Sequence, residues 1–223
     1  MALDSPDVVA DLGPIARQVC SDTGLQWVFT PHPVPPCMTE TLGHLGMALV
    51  FLAPAWLFID DWRTTVVFVA TGFWFGPVPD VDTYLRNWFP VAFKHHGVVY
   101  TIPAAVVFAV VLGPILGWAL RRVFGGTKWF SREAADGAIA MGVIAVGAAT
   151  LSHLFADILS APDISTRIEP LWPVVQGPVV YVDMLYYQSV WATWGLFVLG
   201  LAVNAALFYW THQHGSSQRS QPS

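Results

Sequence analysis

Four long apolar runs constrain the fold more than any other feature of this chain of 223 residues. They cover Thr41–Ile59, Val98–Leu120, Ala134–Leu159 and Met184–Trp210. A helix needs about 20 apolar residues to cross the hydrocarbon core of a bilayer. Charged residues make up only 11% of the chain, whereas a soluble domain usually carries about 25%. The sequence therefore predicts an integral membrane protein whose spans are helices.

A fifth apolar run, Thr64–Pro79, is short for a full crossing because a helix rises only about 1.5 Å per residue. It ends in the letters GPVP, so we predict a shortened span whose C-terminal end unwinds. Irregular backbone at membrane depth is tolerated only where protein or a wet cavity covers it. A further piece, Leu171–Val182, is interrupted by two prolines and predicts an interfacial or re-entrant lid. The expected fold is an all-α polytopic transmembrane helix bundle of about five spans.

The ends of the chain differ in composition from its centre. We divide it into an acidic, proline-containing tail (1–37), a membrane domain (38–211) and a polar C-terminal tail (212–223). The first tail lacks the basic and apolar regions of a secretory signal. Met38 precedes the first apolar run, so the tail is either a disordered extension or sequence upstream of the true start. Cys20 and Cys37 form a disulfide if this region is oxidising, or remain free thiols.

One loop orients the predicted spans. The letters RRVFGGTKWFSR contain four of the ten basic residues in the chain. Cytoplasmic loops carry an excess of Lys and Arg, which places this loop in the cytoplasm and the opposite ends of the spans outside. We therefore expect a multi-pass protein of the cell membrane. The net charge of −5 supplies no basic patch for nucleic acid.

Histidines and aspartates cluster at the span ends on the side away from that loop. They are His44, Asp80, Asp82, His95, His96, His153 and Asp157. Because successive spans alternate in direction, all of these residues reach the same membrane face. Taken singly, each fits a packed histidine or a turn aspartate. Ionisable residues at membrane depth are costly, however, and their convergence points to a functional site.

Imidazole nitrogens and carboxylate oxygens together favour a divalent transition metal. Zinc is the expected ion, with manganese or iron as alternatives, and a thiolate site is excluded because neither cysteine is nearby. The residue count exceeds one tetrahedral shell and therefore allows one or two ions, the second requiring a bridging carboxylate. The spacing of His153 and Asp157 allows two ligands, or one ligand and the carboxylate that orients it.

The motifs also carry a family resemblance. The order GHLG, GPVPDVD, KHHGVVYT, SHLFAD and PLWPV resembles the YdjM-like family of inner-membrane metal-dependent hydrolases over roughly residues 41–175. The resemblance implies a set of metal-site residues, namely His44, Asp80, Asp82, His95, His153 and Asp157. Where that family has the second His of HRGxTHS, this chain has Tyr100, and His96 replaces the Arg. Either His96 takes over a ligand role or the site has one ligand fewer.

Metal-dependent hydrolysis is the expected function. A metal-activated water would attack an ester or phosphoester. Because the protein resides in the membrane, we expect this ester to belong to a lipid or a lipid-linked substrate. Asp157 and His96 are the expected catalytic residues. The cations expected to bind substrate phosphate, unless they are ordinary loop charges, are Arg86, Lys94 and Arg167.

Two other functions fit parts of the pattern. A metal-ion or proton transporter would use the same His and Asp residues as a transient pathway. Transporters, however, usually place ionisable residues near the bilayer midplane and contain repeated halves, which this sequence does not show. A non-catalytic membrane scaffold with a degenerate metal site is the third reading, and Tyr100 is the residue that favours it. The sequence predicts no oligomeric state.

Overall fold

The computed structural model describes residues 36–82, Leu85, 97–160, 168–177 and 189–218, with only the backbone for 36–40 and 215–218. Its helices are α1 (Pro36–Leu52), α2 (Ala55–Phe58), α3 (Trp62–Gly72), α4 (Ile102–Phe124), α5 (Arg132–Asp136), α6 (Ala138–Ser160) and α7 (Leu196–Gln218). A π-helical turn, Trp191–Gly195, leads into α7. No β-strand occurs in these ranges, which confirms the predicted all-α class.

Four helical segments are long and apolar enough to cross a membrane. They are Thr41–Phe58, Ile102–Phe124, Ala138–Ser160 and Trp191–His214, and each corresponds to one predicted run. The short fifth run contains α3 and then unwinds into two 3₁₀ turns, Phe73–Phe75 and Val78–Asp80. The prediction of a bundle with one short, broken span is therefore confirmed.

Local capping moves several helix boundaries away from the apolar runs. Helix α4 begins at Ile102 because the Thr101 side chain accepts a hydrogen bond from the Ala104 amide, 3.2 Å away, as an N-cap does. The run predicted from Ala134 is divided at Gly137 into α5 and α6. Helix α7 continues to Gln218, past the predicted domain boundary at 211. The N-terminal tail through residue 35, including Cys20, lies outside the described part of the chain.

Helix α1 is central to the bundle and contacts both α6 and α7. It runs parallel to α7, since Gly46 lies against Phe197 and the Asn204 amide donates to the Leu49 carbonyl at 2.9 Å. Asn204 in turn accepts from the Trp56 indole at 2.9 Å. Polar side chains such as these hydrogen-bond across membrane helices because lipid offers them no partner.

Helices α4 and α6 are packed nearly backbone to backbone. A methyl group at Gly113 would lie 2.5 Å from the Val143 Cα, and Gly117 and Gly142 are equally crowded by the opposite helix. Small residues permit this approach, and it is van der Waals contact that holds membrane helices together, because lipid tails are as apolar as the side chains. The glycines in α6 thus act in helix packing.

Helix α3 is anchored at both ends. At its start, the Asp61 carboxylate accepts from the Thr64 amide at 3.0 Å and from the Thr64 hydroxyl at 2.6 Å. Thr64 accepts in turn from the Ser131 amide of the basic loop. Further along, Phe68 and Val69 pack against α1 and α6 in a buried cluster. This anchoring fixes the direction in which the following turns leave α3.

Because successive spans alternate in direction, the candidate site residues and the residues beside the basic loop lie at opposite ends of the bundle. His44, Asp80 and His153 lie together at one end. Thr64 and Ser131 meet at the other end. The structure therefore agrees with the alternation expected from the apolar runs.

Cysteine labelling tests this arrangement. In a variant without Cys20 and Cys37, we expect Gln176→Cys and Asp136→Cys to react with an impermeant maleimide from opposite sides of sealed vesicles. Both positions are exposed, at the site end and the basic-loop end respectively. Labelling of both from the same side would contradict the described topology.

Candidate metal centre

Two histidines on neighbouring helices form the base of the candidate site. His44 on α1 and His153 on α6 stack with ring centroids 3.8 Å apart and planes inclined by 21°. Both side chains are almost completely buried. They meet because α1 and α6 run in opposite directions, so that the first half of one helix lies beside the last turns of the other.

The Asp157 carboxylate lies against both imidazoles. Its Oδ1 is 3.4 Å from Nε2 of His44, and its Oδ2 is 3.0 Å from Nε2 of His153. The spacing of four residues places Asp157 one helical turn beyond His153. Its contact with His44, on another helix, could not be read from that spacing. Asp157 therefore links α1 and α6 at the site.

The unwound end of the short span supplies Asp80. A 3₁₀ turn closed by the Asp80 amide and the Pro77 carbonyl, 3.1 Å apart, carries this residue. Gly76 lets the chain press onto α1, since a Cβ there would lie 2.9 Å from the His44 carbonyl oxygen. The turn consequently brings Oδ1 of Asp80 to 3.4 Å from Nε2 of His153. Asp80 is 32% exposed, which makes it the accessible edge of the cluster.

Tyr100 completes the described part of the site. Its hydroxyl donates to Oδ1 of Asp80 at 2.8 Å and lies 3.4 Å from Oδ1 of Asp82. A turn from Gly97 to Tyr100 and the neighbouring Thr101 cap fix its position before α4. The residue that departs from the family pattern therefore contacts both aspartates of the PDVD motif.

Burial raises the pKa of the Tyr100 hydroxyl, and the nearby carboxylates of Asp80, Asp157 and Asp82 raise it further. A negative phenolate would be unfavourable both in the low dielectric and beside other negative charges. Tyr100 thus stays protonated and acts as a neutral donor. This donor can hold Asp80 in one orientation.

The donor set fits a divalent metal ion. One ligand atom each from His44, Asp80 and His153 lies within 4.8 Å of the others. Two ligands on a tetrahedral zinc ion, each at about 2.1 Å, would lie roughly 3.4 Å apart. Nε2 of His153 and Oδ1 of Asp80 are likewise 3.4 Å apart. Nitrogen and carboxylate oxygen are ligands that zinc, manganese and iron accept, so this group could hold a metal ion.

The structure places the other sequence-predicted residues less uniformly. Asp82 is fully buried and contacts Tyr100, but it is not part of the three-residue donor group. Five predicted residues lie outside the described ranges, so their placement stays a prediction: Arg86, Lys94, His95, His96 and Arg167. Of the predicted lid, only 171–177 is described, and it forms turns.

The sequence shows Tyr100 only as a tyrosine where the family has a histidine, and it does not indicate which residues Tyr100 contacts. Tyrosine is a hydroxyl donor where histidine would be a metal ligand. The available signal was its place just before the Thr101 cap, level with the PDVD motif after the short span. That signal gives depth along the bundle but not the direction of a side chain.

Comparison with known proteins identifies a family. A family model described as YdjM inner membrane protein matches residues 38–217. This range contains all of the motifs that resemble that family, so the resemblance is confirmed. The search of curated proteins and the search of solved structures each found no match.

Removing two donors should release bound metal. We expect purified protein to contain one or two equivalents of a divalent transition metal, and Asp80→Ala with His153→Ala to contain almost none, measured by elemental analysis. Membrane insertion should persist because the substitutions remove polar groups only. Asp60→Ala with His212→Ala is a matched control, since both residues are exposed at the opposite end. A wild-type protein that folds normally without metal would refute the site.

Tyr100→Phe should weaken metal binding without abolishing it. Loss of a group that orients a ligand typically lowers metal affinity by about 10–100-fold, and here Asp80 loses the hydroxyl donor at 2.8 Å. Competition with a chelator of known affinity measures the change. Unaltered affinity would show that Tyr100 does not orient Asp80.

Proposed function

We propose that this chain, which belongs to the YdjM inner membrane protein family, is a metal-dependent hydrolase of an ester or phosphoester on a lipid or lipid-linked substrate. One observation carries the proposal. Two imidazoles and a carboxylate converge at one end of a membrane bundle, with only Asp80 of the three partly exposed. A substrate headgroup at the membrane surface could reach this edge.

The proposed metal ligands are His44, Asp80 and His153. Zinc is the expected ion for this nitrogen and oxygen set, with manganese and iron as alternatives. A bound ion of this kind would lower the pKa of water toward about 7 and polarise an ester oxygen. Asp82 and His95 remain proposed metal ligands, and the set allows one or two ions.

Asp157 is proposed to orient His44 and to serve as a further metal ligand or base beside His153. Each of its oxygens faces one imidazole, at 3.4 Å and 3.0 Å, and its side chain is only 3% exposed. A carboxylate that contacts the ring nitrogen not used for the metal fixes the orientation of a ligating histidine and increases its basicity, which Asp157 would do for a His44 that binds through Nδ1. At His153, Asp157 contacts the same Nε2 that faces Asp80, so there it would itself be a ligand. The burial of Asp157 makes the more exposed Asp80 the carboxylate that a substrate would meet first. His96 remains a proposed catalytic residue.

The position of the cluster favours hydrolysis over transport. Transporter sites usually lie near the bilayer midplane, between repeated halves. Here His153 and Asp157 lie in the last two turns of α6, and Asp80 follows the short span. A site at this level meets lipid headgroups, whereas a conducting pathway would require polar groups deeper in the bundle.

The proposed site faces the extracytoplasmic side. Four basic residues lie at the opposite end of the bundle, in or beside the loop between α4 and α5. Such residues are enriched on the cytoplasmic side. Reaction of Gln176→Cys from outside intact cells would support this orientation, and reaction from the cytoplasm alone would reverse it.

An activity screen tests the proposal. We expect the purified protein in lipid nanodiscs to hydrolyse at least one of three probes, a phosphomonoester lipid, a phosphodiester lipid or a carboxylester lipid. Chelation should abolish the reaction, and Asp80→Asn should slow it on the order of 100-fold. Asp60→Asn, an exposed change at the opposite end, should have no effect. Metal-loaded protein inert toward all three would contradict the proposal.

A further inference from the structure

An apolar groove lies beside the Asp80 turn, on the side facing α4. Its walls are Pro77, Val78 and Val81 from the turn and Val107, Val111 and Leu112 from α4, with a cavity volume of about 530 Å³. We call it the α4 groove. Its volume falls in the range of about 300–1,000 Å³ that is usual for small-molecule sites.

The depth of the groove matches one leaflet of a bilayer. At 1.5 Å per residue from the start of α4 at Ile102, Val107 lies about 8 Å along the helix and Leu112 about 15 Å. The hydrocarbon core is about 30 Å thick, so the groove extends to roughly its middle. This length suits a lipid chain that stays within one leaflet.

The groove is continuous with the exposed apolar surface of α4. Val107 and Val111 line it, yet both are more than half exposed, as are their neighbours Val106 and Val110. These four valines lie within a segment that is long and apolar enough to span the membrane. The molecules available to enter at this depth are therefore bilayer lipids.

The Asp80 turn joins the groove to the candidate metal centre. Val78 and Val81 line the groove, while the Asp80 carboxylate between them lies 3.4 Å from His153. A chain bound in the groove would thus have its polar end near the accessible edge of the site. The groove itself is apolar throughout, so any polar contact to a bound lipid would come from the neighbouring site.

We infer that the α4 groove binds an acyl chain of a glycerophospholipid and presents its headgroup ester to Asp80. The presentation of the ester rests on the proposed hydrolase function, whereas binding of the chain does not. Together, the groove and the site define the substrate class as a glycerophospholipid, with its acyl chain bound in the groove and its headgroup ester at Asp80.

Photolabelling tests chain binding directly. The intact protein is placed in nanodiscs of phosphatidylcholine and phosphatidylglycerol, doped with phosphatidylglycerol that carries a diazirine in one acyl chain. After illumination, mass spectrometry should find label on Pro77–Val81 and Val107–Leu112 several-fold above that on Ile115 and Trp118. The latter two residues are exposed on the same helix. Equal labelling of both regions would overturn the inference. So would an unlabelled groove, as expected if another protein surface covered it.

Paired substitutions separate the groove from the general lipid surface. Val111→Trp should fill the groove and reduce its label several-fold, whereas Val110→Trp, one residue away and similarly exposed, should leave the label unchanged. Val107→Trp and Val106→Trp form a second pair if Val111→Trp does not fold. Equal effects within a folded pair would contradict binding in the groove.

Chain binding requires neither metal nor turnover. Labelling repeated in the presence of a chelator should therefore give the same pattern. Groove labelling in metal-loaded protein that hydrolyses none of the lipid esters would retain the groove as a lipid site and reject the proposed function. Hydrolysis of lipid esters by a protein whose groove is not labelled would do the reverse. The two failures are thus distinguishable.

Discussion

Ionisable side chains that are buried away from water must find their partners within the protein. At the candidate metal centre this constraint is met by Asp157, whose two oxygens face His44 on α1 and His153 on α6. The same carboxylate also joins two helices. Structure and chemistry therefore depend on one set of atoms, and a metal ion would add to a network that is already in place.

Backbone packing makes that network possible. The near contact of α4 and α6 at Gly113 and Gly142 places the start of α4, and with it Tyr100, beside the end of α6. Gly76 likewise permits close backbone contact where the short span meets α1. Since lipid supplies no hydrophobic drive between helices, such close contacts supply much of the association energy. Small residues that touch no candidate ligand side chain thus decide how the polar groups of the site meet.

Much of the fold could be predicted from the sequence. Run length identified four spans, and the GPVP letters identified the short span that unwinds, because proline and glycine do not sustain a helix. The boundaries at Thr101 and Gln218 were less accessible, since caps and polar helix extensions do not depend on apolar content. For the site, alternation indicated that His44, Asp80 and His153 share an end. It could not indicate that Tyr100 donates to Asp80.

The sequence by itself determined that lipid surrounds most of the chain, that the fold is helical, and at which end of the bundle the candidate site residues lie. Apolar run length and the alternation of span directions set all three. Only the tertiary structure decided which side chains touch. Contact depends on how each helix is rotated about its axis and how closely its backbone approaches the next, and neither follows from the length of a run. That is why the pairing of Asp157 with His44, and the groove beside Asp80, emerged only from the folded chain.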